Sequence, residues 1–353
     1  MFKIGKRLIS HNSEPFIIAE LSGNHNGQIK NVFKMIDLAS KYKIDAIKLQ
    51  TYTADTITIK SKRPEFFIND KKNLWKNNSL YELYKKAHTP WAWHKKIFDY
   101  AKKKKIICFS SPFDETAVDF LEDLGVPAYK VASFENDHFP LLEKIAKTGK
   151  PVIISTGLTD LNDIKKIVKF FKLRNTNIAL LKCTSTYPAD PNNLNLRTIP
   201  DMKKRFKVEV GFSDHTTQIG SSLAAISLGA TIIEKHFTLK KNFGVDGKFS
   251  STINDLRKIK DQSKIIWKSL GKINYDGKKI DKLSLKFKRS IYTCKEIKKG
   301  EKFTNKNLRI IRPRFGILPI YFKDIINKKS PQNFKSGIPL NKNVLKKLKI
   351  KKR

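Results

Sequence analysis

Two histidines, His215 and His236, stand at the ends of short apolar runs, and Glu234 precedes the second by one intervening residue. Imidazole is a good ligand for divalent ions of the Mn²⁺, Co²⁺ or Zn²⁺ kind, and a pair of them leaves coordination positions open to water and a substrate carbonyl. That is the arrangement of a Lewis acid. On a strand, Glu234 and His236 share one face, which suits Glu234 to orient the ligand or to move a proton. Asp214, next to His215, reads either as a further ligand or as a group that orients a neighbour. Either histidine also reads as an ordinary hydrogen-bonded residue at a strand end.

Lys48 and Lys130 lie inside apolar runs, where an uncompensated ammonium is costly and each needs an anion. Phosphate or carboxylate meets that need. Ser111, Ser133, Ser185 and Ser213 end neighbouring runs and add hydroxyl donors around the same anion, with Tyr187 just beyond Ser185. Glu20 closes the first run, ahead of the turn-rich LSGNHNG, as a candidate general acid or base. The competing reading is structural, with both lysines paired to Glu20, Glu234 or Asp214. Arg312, in an Arg-Pro-Arg turn, offers a guanidinium to an anion or remains a solvated turn.

These residues need elements that bring them together. Short β-branched runs at 16–21, 46–50, 106–111, 128–133, 151–156, 178–183, 208–214 and 231–237 are read as strands. Amphipathic stretches at 29–43, 91–104, 115–124, 141–147, 163–173 and 219–228 lie between most of them. Alternation of this kind predicts parallel strands joined by crossover helices, and eight such units fit a (β/α)₈ TIM barrel, an α/β fold of typically about 250 residues. Barrel enzymes work at the C-terminal ends of their strands, which is where the polar residues fall. A long segment, 51–90, follows the second run and is expected to be functional. Residues 1–271 are read as the barrel, 272–288 as a linker, and 289–353 as a small strand-rich domain with a basic tail.

The 353-residue chain carries a net charge of +40, and that excess invites a polyanion-binding reading. The charges are mostly lysines spread over nearly every predicted helix, so solvated faces explain them better, and no nucleic-acid partner is expected. Cys108, Cys183 and Cys294 lie far apart and are expected to be reduced, inert thiols. No apolar run reaches the roughly 18 residues of a membrane span, and residues 1–10 show no secretory pattern, so no membrane partner and a cytoplasmic location are expected.

The runs IIAELSGNHNG, AIKLQTYTADT, CFSSPFDETAVDFL, AYKVASFEN, LKCTSTYPA, VGFSDHT and IIEKHFTL, in this order, resemble the sialic acid synthase family. RSIYTCKEIKKGEKFT and NLRIIRPRFGI look like that family's C-terminal antifreeze-like (SAF) domain, and LWKNNSLYELYKKAHTPWAWH is most similar to its pseudaminic branch. The resemblance implies condensation of phosphoenolpyruvate with an open-chain acetamido sugar in a barrel, within a homodimer whose SAF domains are swapped. It implies Mn²⁺ or Mg²⁺ on His215 and His236. It also places phosphoenolpyruvate on Lys48, Ser111, Lys130, Ser133, Ser185 and Ser213, the acid/base role on Glu20, and a sugar contact on Asp246. Arg312 matches an arginine that reaches the partner's active site. Ser111 and Ser185 depart from the sialate branch, which has Thr and Asn there, and this favours the pseudaminic acceptor over N-acetylmannosamine. A legionaminic or N-acetylneuraminic acid synthase is the near alternative. A barrel aldolase forming a Schiff base through Lys130 or Lys182, or a polyanion-binding protein, is the distant one.

Overall fold

Near-continuous apolar runs make strands that bury two faces, and in this chain both faces find cover. The computed structural model describes residues 1–70 and 74–351; residues 71–73, inside the long segment after the second run, and 352–353, at the end of the basic tail, lie outside the described residues. Among the described residues, eight parallel strands close into a barrel: β1 (Phe16–Glu20), β2 (Ala46–Thr51), β3 (Ile107–Pro112), β4 (Tyr129–Val131), β5 (Val152–Ser155), β6 (Ile178–Cys183), β7 (Glu209–Asp214) and β8 (Ile232–His236). β8 pairs with β1 to complete the ring.

Outward residues such as Ile17, Ile47, Val131, Ile154, Leu180, Phe212 and Ile233 pack against the crossover helices. The helix Leu161–Lys172 shows why such segments form: Ile164, Ile167, Val168 and Phe171 line one face at helical spacing. Its N-terminus is capped by Asp160, which accepts from the backbone N–H of Asn162 at 2.7 Å and of Asp163 at 2.9 Å. One crossover helix, Thr198–Phe206, lies where the sequence reading had placed none.

Inward residues change character along the barrel axis. Phe16, Ile18, Ala46, Phe109, Ala128, Ile153, Ala179, Leu181 and Ile232 form an apolar plug at the N-terminal end, sealed by Phe2, Ile4 and Ile9 of an N-terminal hairpin. The next inward positions toward the other end are Glu20, Lys48, Ser111, Lys130, Ser155, Cys183, Ser213, Glu234 and His236. The core therefore dries out one end and leaves the other polar.

The chain divides into two compact units, Met1–Gly271 and Lys272–Arg353. In the second, the stretch read as a linker holds a short helix Gly277–Ile280 and a 3₁₀ turn Lys282–Phe287. Strands β9 (Ser290–Thr293) and β10 (Leu308–Ile311) pair antiparallel over a core that includes Ile291, Ile297, Phe303, Leu308, Ile325 and Leu340.

Candidate active site

Strand register sets the charged residues side by side. Glu20 is the register partner of both Lys48 on β2 and His236 on β8, and Glu234 is the partner of Ser213 on β7. Lys48 Nζ stands 2.6 Å from Glu20 Oε2 and 4.0 Å from Glu234 Oε2, while Lys130 Nζ stands 3.7 Å from Glu234 Oε1. Two ammonium groups and two carboxylates thus form one buried, charge-balanced chain. Lys48 donates to Ser111 at 3.2 Å, Lys130 donates to Ser155 at 2.7 Å, Ser213 donates to Glu234 at 3.2 Å, and Gln50 donates to Glu20 at 3.0 Å.

The two carboxyls are pushed apart. Burial raises Glu20 to about 7 despite Lys48. Burial also opposes charge on Glu234, but Lys130, Lys48 and His215 together outweigh it and hold that carboxyl below its usual value. Burial presses Lys48 down, yet Glu20 and Glu234 raise it overall, whereas burial wins at Lys130 and lowers it. Carboxyls driven in opposite directions are the pattern expected of an acid/base group beside a fixed counter-ion.

His215 follows β7, and its ring centre lies 5.4 Å from that of His236 at the end of β8. His215 Nδ1 sits 2.9 Å from the carbonyl oxygen of Thr184, an arrangement that directs Nε2 away as a free ligand atom. His236 is kept neutral by burial, with His215 adding to the effect, and its Nδ1 lies 3.7 Å from Asp246 Oδ2 without a hydrogen bond. Asp246 itself accepts from the Ser22 hydroxyl. Among the described residues, three buried atoms around the mouth, Glu234 Oε2, Glu135 Oε2 and His236 Nδ1, have no hydrogen-bond partner. Buried polar atoms are nearly always satisfied, so such a concentration marks a site built for a polar ligand. A neutral imidazole with an orphaned nitrogen beside a second imidazole fits a divalent ion. Among the described residues no three His, Cys, Asp or Glu side chains are grouped to hold one, so water or substrate oxygen would complete the shell.

The loops after β4, β5 and β6 converge on the same space. Ser133 accepts from Gly157 N at 3.2 Å and donates to Cys183 Sγ at 3.5 Å, and Ser185 lies 3.8 Å from the same sulfur. A Cβ at Gly157 would collide with both serine hydroxyls, so only glycine lets them approach. Tyr187 packs 4.4 Å from the His215 ring and Phe249 4.8 Å from the His236 ring.

A model of the NeuB family matches residues 35–275, and a SAF domain model matches 288–345. The chain belongs to the NeuB family. Pseudaminic acid synthase from Campylobacter jejuni is 42% identical over 91% of this chain and 94% of its own length. N,N'-diacetyllegionaminic acid synthase from the same organism is 37% identical over 90% and 96%. The crystal structure of N-acetylneuraminic acid synthetase from Leptospira borgpetersenii, in complex with citrate, superposes with a TM-score of 0.71 at 30% identity, over 80% of this chain and 94% of that one.

In this NeuB-family barrel the mouth gathers Glu20, Lys48, Ser111, Lys130, Ser133, Ser185, Tyr187, Ser213, Glu234, His215, His236 and Asp246. Arg312 lies in the second unit, exposed, in a surface pocket with Arg289, Arg314 and Phe287. Two expectations change. Asp214 points out of the barrel, pairing with Lys235 at 3.0 Å and accepting from Ser221 and Thr216, because alternate strand residues face opposite sides; it is not a ligand. Ser110, beside Ser111, likewise faces outward to Thr51. Lys182 also faces outward, with Nζ 3.1 Å from the carbonyl of Cys183, which removes it as a Schiff-base nucleophile. At Cys183 burial presses the thiol up, but His215 and Ser133 outweigh this and bring it down to about 6. Ser155 and Glu135 were missed. Ser155 ends a run and was open to the same reasoning, whereas Glu135 sits in a loop with no periodic signal.

Proposed function

We propose that this enzyme condenses phosphoenolpyruvate with an open-chain acetamido sugar to form a nonulosonic acid and phosphate, with 2,4-diacetamido-2,4,6-trideoxy-L-altrose as acceptor and pseudaminic acid as product. The observation that carries this is the Glu20–Lys48–Glu234–Lys130 chain beside two imidazoles, in a sequence 42% identical to a pseudaminic acid synthase over 91% of its length.

Lys48 and Lys130 bind the phosphate and carboxylate of phosphoenolpyruvate, helped by the hydroxyls of Ser111, Ser133, Ser185 and Ser213. Mn²⁺ or Mg²⁺ on His215 and His236 would supply Lewis-acid polarisation of the acceptor aldehyde. Asp246 and Tyr187 orient the sugar beside those histidines, so that its aldehyde carbon faces C3 of phosphoenolpyruvate for bond formation. Water adds at the cationic C2 that results, and Glu20 Oε2, at about 7, takes the proton that water gives up and returns it to the oxygen of the former aldehyde, which ends as a hydroxyl. Glu234 stays charged and stabilises the cation, and phosphate departs with its bridging oxygen as the tetrahedral centre collapses.

Arg312 acts across a homodimer with swapped SAF domains in this reading, supported by the SAF match and by the exposed guanidinium. The work belongs in the cytoplasm; among the described residues no helix is long and apolar enough to cross a membrane. The test is phosphate release from phosphoenolpyruvate with Mn²⁺ and each of three acceptors: the altrose derivative, the legionaminic precursor and N-acetylmannosamine. Release fastest with the first supports the proposal, and no release with any of them removes it.

A further inference from the structure

The long segment after β2 crosses to the far side of the mouth. Ile68 exchanges hydrogen bonds with Asn77 and Asn78 to make a short ladder, and Trp75 stands on its returning limb. The indole N–H of Trp75 donates to the Val245 carbonyl at 3.2 Å, on the loop after β8 that also carries Asp246 and Phe249. The ring lies 5.8 Å from Tyr187 and 6.3 Å from Phe249, which are themselves 5.1 Å apart. Tyr187 and Phe249 each touch both histidines, so Trp75 forms the outer course of an aromatic wall whose inner course lies against the imidazole pair. Its indole is half-buried, and its one donor is already engaged.

An acceptor whose aldehyde sits by the histidines runs outward along this wall, and its far end meets the outer course. Indole carbon offers that end apolar contact and no hydrogen-bond partner. A terminal methyl gains there, whereas a terminal hydroxymethyl gives up hydration without return. We propose that Trp75 is a specificity-determining residue: it closes the acceptor pocket against the carbon most remote from the aldehyde and selects sugars ending in a methyl group over those ending in hydroxymethyl.

This rests on the synthase reading, so the test separates the two. Wild type, Trp75→Phe and Trp75→Ala are compared with the altrose derivative and with its 6-hydroxy counterpart. A hydroxyl added to a ligand in an apolar pocket is rejected by about 100-fold, and the expected result is a wild-type preference of about that size that falls at least about tenfold in Trp75→Ala. The drop should appear as a raised KM for the methyl sugar, with the KM for phosphoenolpyruvate unmoved, and Trp75→Phe should retain part of the preference. In a second readout, the methyl sugar should quench tryptophan fluorescence in wild type and fail to do so in Trp75→Phe, since Trp91, Trp93 and Trp267 remain as constant background. An unchanged preference in Trp75→Ala, or a loss shared equally by both sugars, overturns the inference while leaving the synthase reading intact. No turnover of any acetamido sugar by wild type removes the parent reading, and the inference falls with it.

Discussion

Replacing Lys48 by Met should make stability depend on pH in a way the wild type does not. In the wild type Glu20 stays protonated up to about 7, against an ordinary value of 4.5, because burial outweighs the help of Lys48 2.6 Å away. A carboxyl raised in the folded state contributes stability that is complete below 4.5 and lost as pH rises through the folded value. Removing Lys48 deletes the largest force that lowers Glu20, so its folded value moves higher still and the loss continues above pH 7. Each pH step beyond that point adds about 1.4 kcal/mol. Urea unfolding of the Met variant should therefore show a penalty relative to wild type that is larger at pH 8.5 than at pH 6 by about 2 kcal/mol. The double variant Lys48→Met/Glu20→Gln, which lacks the Glu20 carboxyl, should lose the added slope. Phosphoenolpyruvate binding by the Met variant should weaken about 10- to 150-fold, the worth of one charge-assisted hydrogen bond, and the double variant should not recover it. A penalty equal at both pH values, or a slope that survives in the double variant, would refute the reasoning about this pair.

His236→Ala should abolish Mn²⁺ binding seen by electron paramagnetic resonance while the variant still unfolds cooperatively, at a melting temperature lowered by the cavity left against Phe249. Asp214→Asn should cost about 3–5 kcal/mol by stranding the buried Lys235 ammonium, yet leave the KM for phosphoenolpyruvate unaltered; a raised KM would show that Asp214 does reach the cavity. Gly157→Ala should raise the KM for phosphoenolpyruvate by pushing Ser133 and Ser185 out of place, checked by titration of the folded variant against wild type.

All eight strands were legible because each is short, β-branched and buried on both faces, and their observed ends fall within two residues of those read from the pattern. Helix Thr198–Phe206 was not legible: Pro200, Asp201 and three basic residues dilute an apolar stripe that consists only of Ile199, Met202 and Phe206. The N-terminal hairpin escaped for a different reason. Its strands are three residues each, too short to show alternation, and their role as a plug exists only once the barrel has closed. At the site, residue type showed that Lys48 and Lys130 need anions, and register turned that need into the particular pairs with Glu20 and Glu234. Direction was harder to read. Asp214 and Ser213 differ by one position and face opposite sides of the sheet, and only the phase of the strand decides which meets substrate. Glu135 and Trp75 sit on irregular loops, where spacing carries no information about which side chain turns inward.

A crystal of the protein grown with Mn²⁺ and phosphoenolpyruvate and measured at the manganese absorption edge tests the shared cavity most directly. One anomalous peak is expected between the His215 and His236 rings, with the phosphate and carboxylate of phosphoenolpyruvate within hydrogen-bonding reach of Lys48 Nζ and Lys130 Nζ. A peak bound elsewhere, or a phosphoenolpyruvate molecule that touches neither ammonium, would contradict it.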